Sequence, residues 1–137
     1  MRIGIDCRTI LNPDKGEAAG VGHYTYQLAR HLHNLVHTDA FGPDVTFVLF
    51  FDREVTPERL NKFKGDRIEI KHFPFLEYKE FLPIAYSHLL VTAFLKREKI
   101  DLFHSPIPHL PLSYRDPAVV TVHDLAIYKY PHLFPAG

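Results

Sequence analysis

A doubly wound, mainly parallel α/β sheet is the fold this sequence predicts, and three observations point to it. Five short runs are rich in Val, Ile, Leu and Phe, several of them near-continuously apolar, which is how strands covered on both faces look. Helix-period segments stand between some of these runs, so strands and helices alternate as in crossover units. The 137 residues fit one domain, long enough to bury roughly two-thirds of its unfolded surface in a real core.

The elements follow in order. Strand one is Arg2 to Asp6 (RIGID), followed by a long loop. From Gly22 to Val36, Tyr24, Leu28, Leu32 and Leu35 recur at helical spacing and set one apolar stripe toward the sheet, which makes this segment a crossover helix. Strand two is Val45 to Phe51 (VTFVLFF), a short helical turn is expected near Pro57 to Lys62, and strand three is Arg67 to His72 (RIEIKH). A second helix is expected from about Leu82 to Glu98, with Pro83 tolerated in its first turn and KREK at its solvated end. Strand four is Asp101 to His104 and strand five Ala118 to Val122. Between them the Pro-rich SPIPHLPLSYRDP, Ser105 to Pro117, forms a stiff, ordered connection rather than an interdomain linker. Right-handed crossovers then favour the spatial order 3-2-1-4-5. No internal repeat or low-complexity tract interrupts the pattern.

Composition excludes several function classes. Lysine plus arginine equals aspartate plus glutamate at 16 each, so no global field recruits nucleic acid, acidic lipid or an acidic substrate, and any charge-based partner must be local. The single cysteine, Cys7, rules out an internal disulfide and a thiolate-rich metal site, and suggests a reducing compartment. The N-terminus enters a strand directly, without the features of a secretory signal, so a cytoplasmic location is expected. The longest apolar stretch, Ile84 to Leu95, carries Ser87, His88 and Thr92 and falls short of the ~20 residues of a bilayer span. No transmembrane segment is expected, while peripheral membrane contact stays open.

In an open parallel sheet ligands bind beyond the carboxyl ends of the strands, at the crevice where the winding reverses, here between strands one and four. The loop from Cys7 to Gly22, the loop starting at Ser105 and the His123-Asp124 pair ending strand five converge on that rim. Within the first loop, GEAAGVGHYTYQ (residues 16–27) runs two spaced glycines into a helix, where backbone N–H groups and the helix dipole suit an anion such as phosphate. The motif is not a dinucleotide fingerprint, because the glycines lie far from strand one and Thr25 stands at the third glycine position. Nor is it a Walker loop, since His23-Tyr24 follows Gly22. Plain turn geometry is the competing reading of Gly20 and Gly22.

In VTVHDL (residues 120–125), alternation sends His123 and Asp124 to opposite sides unless the strand has already turned, so they need not form a dyad. The alternatives are side chains facing the crevice, or a histidine bonded to a backbone carbonyl with Asp124 capping the next turn. Of His31, His33 and His37, only His33/His37 has the spacing for ligands on one helical face, and a solvated face is the simpler account. His104 and His109, without a carboxylate or cysteine partner, are weak evidence for zinc. Tyr78, Tyr86, Tyr114, Tyr128 and Tyr130 read as ordinary packing with a polar handle.

Taken together, MRIGIDCRTI, the loop ending GVGHYTYQLARHL, the strand VTFVLFF, DLFHSP and VVTVHDLAIYKYPHLFP closely resemble the N-terminal domain of retaining glycosyltransferases of family 4, also called group 1. The resemblance runs in order over nearly the whole chain. It implies the GT-B fold of two Rossmann-like domains, whose N-terminal half shapes the acceptor site and whose C-terminal half binds most of a nucleotide-sugar. It implies that Gly20 and Gly22 approach the donor diphosphate, that the catalytic candidate His123 faces the transferred sugar, and that Asp124 and Ser105 serve the acceptor side. The usual double glycine is departed from at Ala19. The family's C-terminal pair of glutamates, eight positions apart, has no counterpart here; Glu69 and Glu77 share that separation but sit in the wrong half of the pattern.

The resulting expectation is an N-terminal, truncated domain spanning 1–137, from a parent that transfers a hexose such as mannose or glucose to a sugar, lipid or other acceptor. No metal and no cofactor is expected, nor is nucleic acid. The fragment alone should be inactive and is expected to self-associate. The competing expectation is a non-enzymatic half-fold that binds a sugar, nucleotide or partner. A second Rossmann-like domain in the reading frame after Gly137 would favour the enzyme, and a natural stop the module.

Overall fold

The strands form where β-branched and aromatic residues cluster, and successive side chains point to opposite faces of the sheet. A computed structural model describes the backbone of residues 1–14, 20–52, 55–73, 84–130 and 132, with β1 at Arg2–Asp6, β2 at Thr46–Phe51, β3 at Ile68–His72, β4 at Leu102–Ser105 and β5 at Ala118–Val120. All four pairings are parallel and the sheet order is β3-β2-β1-β4-β5, the order expected. Helix α1 spans Gly20–Val36, α2 spans Ile84–Arg97 and the short α3 spans Ala126–Lys129, while Pro57–Phe63 is a 3-10 turn. The expected start of the second helix at Leu82-Pro83 lies outside the described residues.

Two cores lie on opposite faces of the sheet. On one, Ile5, Phe47, Leu49, Phe51 and Ile68 meet Tyr26, Ala29 and Val36 of α1 with Leu60 and Phe63 of the 3-10 turn. On the other, Val48, Phe50, Phe73 and Phe103 meet Val91, Phe94 and Leu95 of α2. This is the doubly wound arrangement that apolar strands require.

The buried face of α1 differs from the stripe read off the leucines. Thr25, Tyr26, Ala29 and Val36 are the buried residues, Leu28 and Leu32 are only partly covered, and Leu35 is 42 % exposed. Small Thr25 and Ala29 sit four apart on the buried face, a signal that hydrophobicity alone passes over. The helix also begins two residues early, at Gly20, whose φ of 69° is open to glycine without strain. Its far end is held by Arg67, which donates to the Val36, Thr38 and Gly42 carbonyls, placing a cation where the helix leaves acceptors unsatisfied.

β5 ends at Val120 rather than Val122, although the Thr121 N–H still reaches the Ser105 carbonyl at 3.0 Å. Beyond β5, Val122, Leu125, Tyr128 and Tyr130 are exposed. Glu69, one of the two glutamates with the family spacing, is tied to Arg2 by two bonds of 2.6 and 2.9 Å, and Glu77 lies outside the described residues.

Gly4 in the central strand is a packing requirement. A Cβ there would stand 2.9 Å from a Phe50 ring carbon, 3.0 Å from the Ile100 side chain and 3.2 Å from Phe103. These are two buried rings and a buried aliphatic side chain, so Gly4→Ala should cost about 1–3 kcal/mol through overpacking. Urea unfolding of the variant checks this, and an unchanged midpoint would show that the aromatic face can yield.

Candidate functional site

The winding reverses between β1 and β4, and what the chain places at their carboxyl ends defines the candidate site. Four segments meet there: the turn after Asp6, the start of α1, the Ser105-Pro106 corner after β4, and the stretch from Thr121 to Asp124.

At the end of β1, Asp6 is buried and grips Arg8. The guanidinium Nε donates to both carboxylate oxygens (2.9 and 3.2 Å), Nη2 donates to Oδ2 at 2.6 Å, and the Arg8 backbone N–H reaches Oδ1 at 3.1 Å. The guanidinium also lies 4.7 Å from the Phe73 ring centre. Burial works to lower the Arg8 pKa, but the bonds to Asp6 and the charges of Asp6 and Asp52 outweigh it and hold the side chain firmly cationic. The sequence reading passed over this pair. Its signal was available: a carboxylate closing an otherwise apolar strand, with an arginine two residues on.

The turn continues into α1 through hydroxyls. Thr9 Oγ1 donates to Thr25 Oγ1 at 2.9 Å, and Thr25 donates back to the Val21 carbonyl at 2.8 Å. Thr25, standing where a dinucleotide fingerprint has its third glycine, therefore joins loop to helix instead of clearing space. Gly20 opens the helix, and among the described residues no atom comes within 4 Å of where its Cβ would be. Gly22 follows half-buried in the first turn. Ala19 lies outside the described residues.

A chain of polar contacts crosses the rim from α1 to β4. Tyr24 Oη and Thr121 Oγ1 are 3.3 Å apart, and Thr121 Oγ1 is 2.9 Å from His104 Nε2. His123 joins it through its ring, which meets Tyr24 edge-on at 4.9 Å between centres with planes at 81°. The His123 Nε2 bonds the Pro106 carbonyl at 2.8 Å, and Asp124 Oδ1 accepts from the Ala126 N–H at 2.9 Å. The strand has thus turned before His123, and imidazole and carboxylate each take a backbone partner instead of one another. This matches the contacts of the simpler reading, with one difference: His123 is exposed at the rim rather than packed in the core. Ser105 is the last residue of β4 and buried at 1 % exposure, whereas Asp124 is exposed.

The other sequence candidates fall elsewhere. His31 bonds the Gln27 carbonyl on the outer face of α1, and His33 and His37 meet edge-on at 5.1 Å near the far end of that helix. Among the described residues no group of three or more His, Cys, Asp or Glu side chains is placed to hold a metal ion. Tyr114 is buried against Phe103, and burial, aided by Asp116, raises its pKa to about 12. Tyr128 and Tyr130 are exposed, and the Tyr78 and Tyr86 side chains lie outside the described residues. Among the described residues no helix is long and apolar enough to cross a membrane.

Burial lowers the His104 pKa below its ordinary value. The unfolded chain takes up a proton near pH 6.5 while the folded chain resists, so this contribution to stability is complete above that pH and is lost as the pH falls through the window below it. His104→Gln removes the titration while keeping a group that can bond Thr121. Its urea midpoint should fall less between about pH 7.5 and 5.5 than that of the unaltered chain, and equal slopes would show that His104 contributes nothing to the pH dependence.

Neither the curated proteins nor the solved structures contain a match. The family model described as Glycosyltransferase Family 4 matches residues 18–136, a span that takes in α1, all strands after the first, and the His123 segment. The chain belongs to glycosyltransferase family 4.

Proposed function

We propose that this chain is the acceptor-side, N-terminal domain of a retaining glycosyltransferase that moves a hexose, such as mannose or glucose, from a nucleotide-sugar to an acceptor. The observation that carries this reading is the juxtaposition at the rim: an exposed imidazole, His123, stands one aromatic contact from the helix that opens at Gly20. A nucleotide-sugar needs two things from this half of a cleft. As the glycosidic bond to the diphosphate breaks, negative charge grows on the leaving oxygen and positive charge on the sugar ring.

The first turn of α1 meets the former requirement. Its leading N–H groups have no partner within the helix, and the dipole adds roughly half a positive charge there. Among the described residues nothing crowds the Cβ side of Gly20, which leaves room for a phosphate to approach those donors. Such fixed donors stabilise developing charge without reorganising, which is electrostatic catalysis and calls for no metal. His123 serves the latter requirement by contacting the transferred sugar. Of the two acceptor-side candidates, Asp124 is the better placed, exposed beside His123, because Ser105 is buried at the strand end. The main donor pocket belongs to a second domain in the full-length parent, and the reaction takes place between the two.

Two outcomes follow. The 137-residue chain alone should turn over no common nucleotide-sugar, since half of the proposed cleft is missing; turnover that His123→Ala abolishes would contradict this. In the full-length parent, His123→Ala should lower kcat and kcat/KM together by on the order of a hundredfold, with little change in the denaturation midpoint. If His123 only braces the Pro106 carbonyl, the variant should instead lose about 1–3 kcal/mol of stability and keep near-normal turnover. Kinetics and urea unfolding of the same variant separate the two.

A further inference from the structure

His123 is held at one atom by the Pro106 carbonyl and along one ring edge by Tyr24. A carbonyl oxygen only accepts, so the 2.8 Å contact places the proton on Nε2. In the neutral ring Nδ1 is then unprotonated and can accept a hydrogen bond. A single bond at Nε2 leaves the imidazole free to swing about it. We propose that Tyr24 is the positioning residue for His123, fixing the imidazole on Pro106 so that Nδ1 is the nitrogen left for substrate.

Tyr24 suits that role because it is itself fixed at both ends. Its backbone belongs to α1, one turn past Gly20, and its hydroxyl stands 3.3 Å from Thr121 Oγ1. Thr121 is anchored in turn, its hydroxyl 2.9 Å from His104 Nε2 and its backbone N–H on the Ser105 carbonyl at 3.0 Å. The chain of contacts therefore ties the helix that opens at the proposed phosphate site to the segment carrying the proposed sugar contact. A ring meeting another edge-on also sets an orientation, which a rounded aliphatic side chain of similar bulk does not. Burial favours neutral His104, which lets Thr121 use its hydroxyl proton in either direction along the chain. As a statement about turnover, the inference rests on the reading that His123 faces the transferred sugar; as a statement about the ring's tautomer, it does not.

The test begins with the 137-residue chain. Nitrogen-resolved NMR at alkaline pH, where the imidazoles are neutral, should show His123 protonated at Nε2 and bare at Nδ1, with a cross-peak between its ring protons and those of Tyr24. Absence of that cross-peak, or a proton on Nδ1, overturns the proposal without any variant. Tyr24→Phe, which keeps the ring, should preserve the Nε2–H form, whereas Tyr24→Leu should give a mixture of tautomers with the backbone spectrum otherwise retained. An unchanged tautomer in Tyr24→Leu overturns the proposal as well. In the full-length parent, Tyr24→Leu should lower kcat about three- to tenfold with donor KM almost unaltered, and Tyr24→Phe should restore it. The two readings fail separately. Normal turnover in His123→Ala, with the tautomer still dependent on Tyr24, removes the sugar contact and leaves the positioning intact. A crippled His123→Ala enzyme, together with a His123 tautomer that stays unchanged in the Tyr24→Leu chain, removes the positioning alone.

Discussion

The pairing of β1 with β2 on one side and β4 on the other is the constraint on which the rest depends. Because β1 is central and both neighbours run parallel to it, the carboxyl ends of β1 and β4 lie side by side while the chain leaves β1 for α1 and reaches β4 from α2. Each helix covers its own face of the sheet. The gap between them opens above β1 and β4, and no loop need be long or special to create it. Gly4 is part of this constraint. Only a residue without a side chain lets Phe50, Ile100 and Phe103 close over the middle of β1, and so lets the face covered by α2 pack tightly.

Polar groups gather at that gap, and each is offset in a different way. Asp6 is buried at the strand end, where an unpaired carboxylate would be costly, and Arg8 compensates by wrapping it with side-chain and backbone donors. Thr25 is buried and spends its hydroxyl on Val21 and Thr9. His104 is half-buried and meets Thr121. These groups are consumed by the fold. His123 and the start of α1 differ, because the imidazole is exposed and, among the described residues, nothing crowds the Cβ side of Gly20. A ligand arriving at the rim therefore meets a surface whose supporting bonds are already made beneath it.

The strand order and all five strands were legible from the sequence because the apolar run of β2 is covered on both faces and the edge strands, though partly exposed, keep their β-branched residues, and the errors there are confined to strand ends. The face of α1 was harder. Leucine periodicity pointed to Leu35, yet the helix turns the smaller Thr25 and Ala29 inward, so its buried face is not the one its leucines mark. The site was legible in part. Glycines before a helix and a histidine after a strand can be placed at a rim by topology alone. Spacing carries no information about which backbone carbonyl a histidine will meet, so the bond from His123 to Pro106, across the corner after β4, was not available. Asp6 and Arg8 were missed for a related reason: two charges that close together in sequence carry no mark of burial until the fold shows that one is inside.

The structural and functional readings of His123 are less opposed than they look in the sequence. A side chain bonded to a backbone carbonyl is commonly taken as settled within the fold, and one at a rim as available to substrate. An imidazole has two nitrogens, so one can be committed while the other is left over, and commitment of the first decides the protonation of the second. The bond to Pro106 that a structural account would cite is then the feature that prepares the remaining nitrogen. The same holds for Tyr24, whose hydroxyl serves the fold through Thr121 while its ring orients the histidine. Precision at a rim built from loops has to come from such double use, because a loop alone does not hold a side chain to the tolerance that group transfer demands.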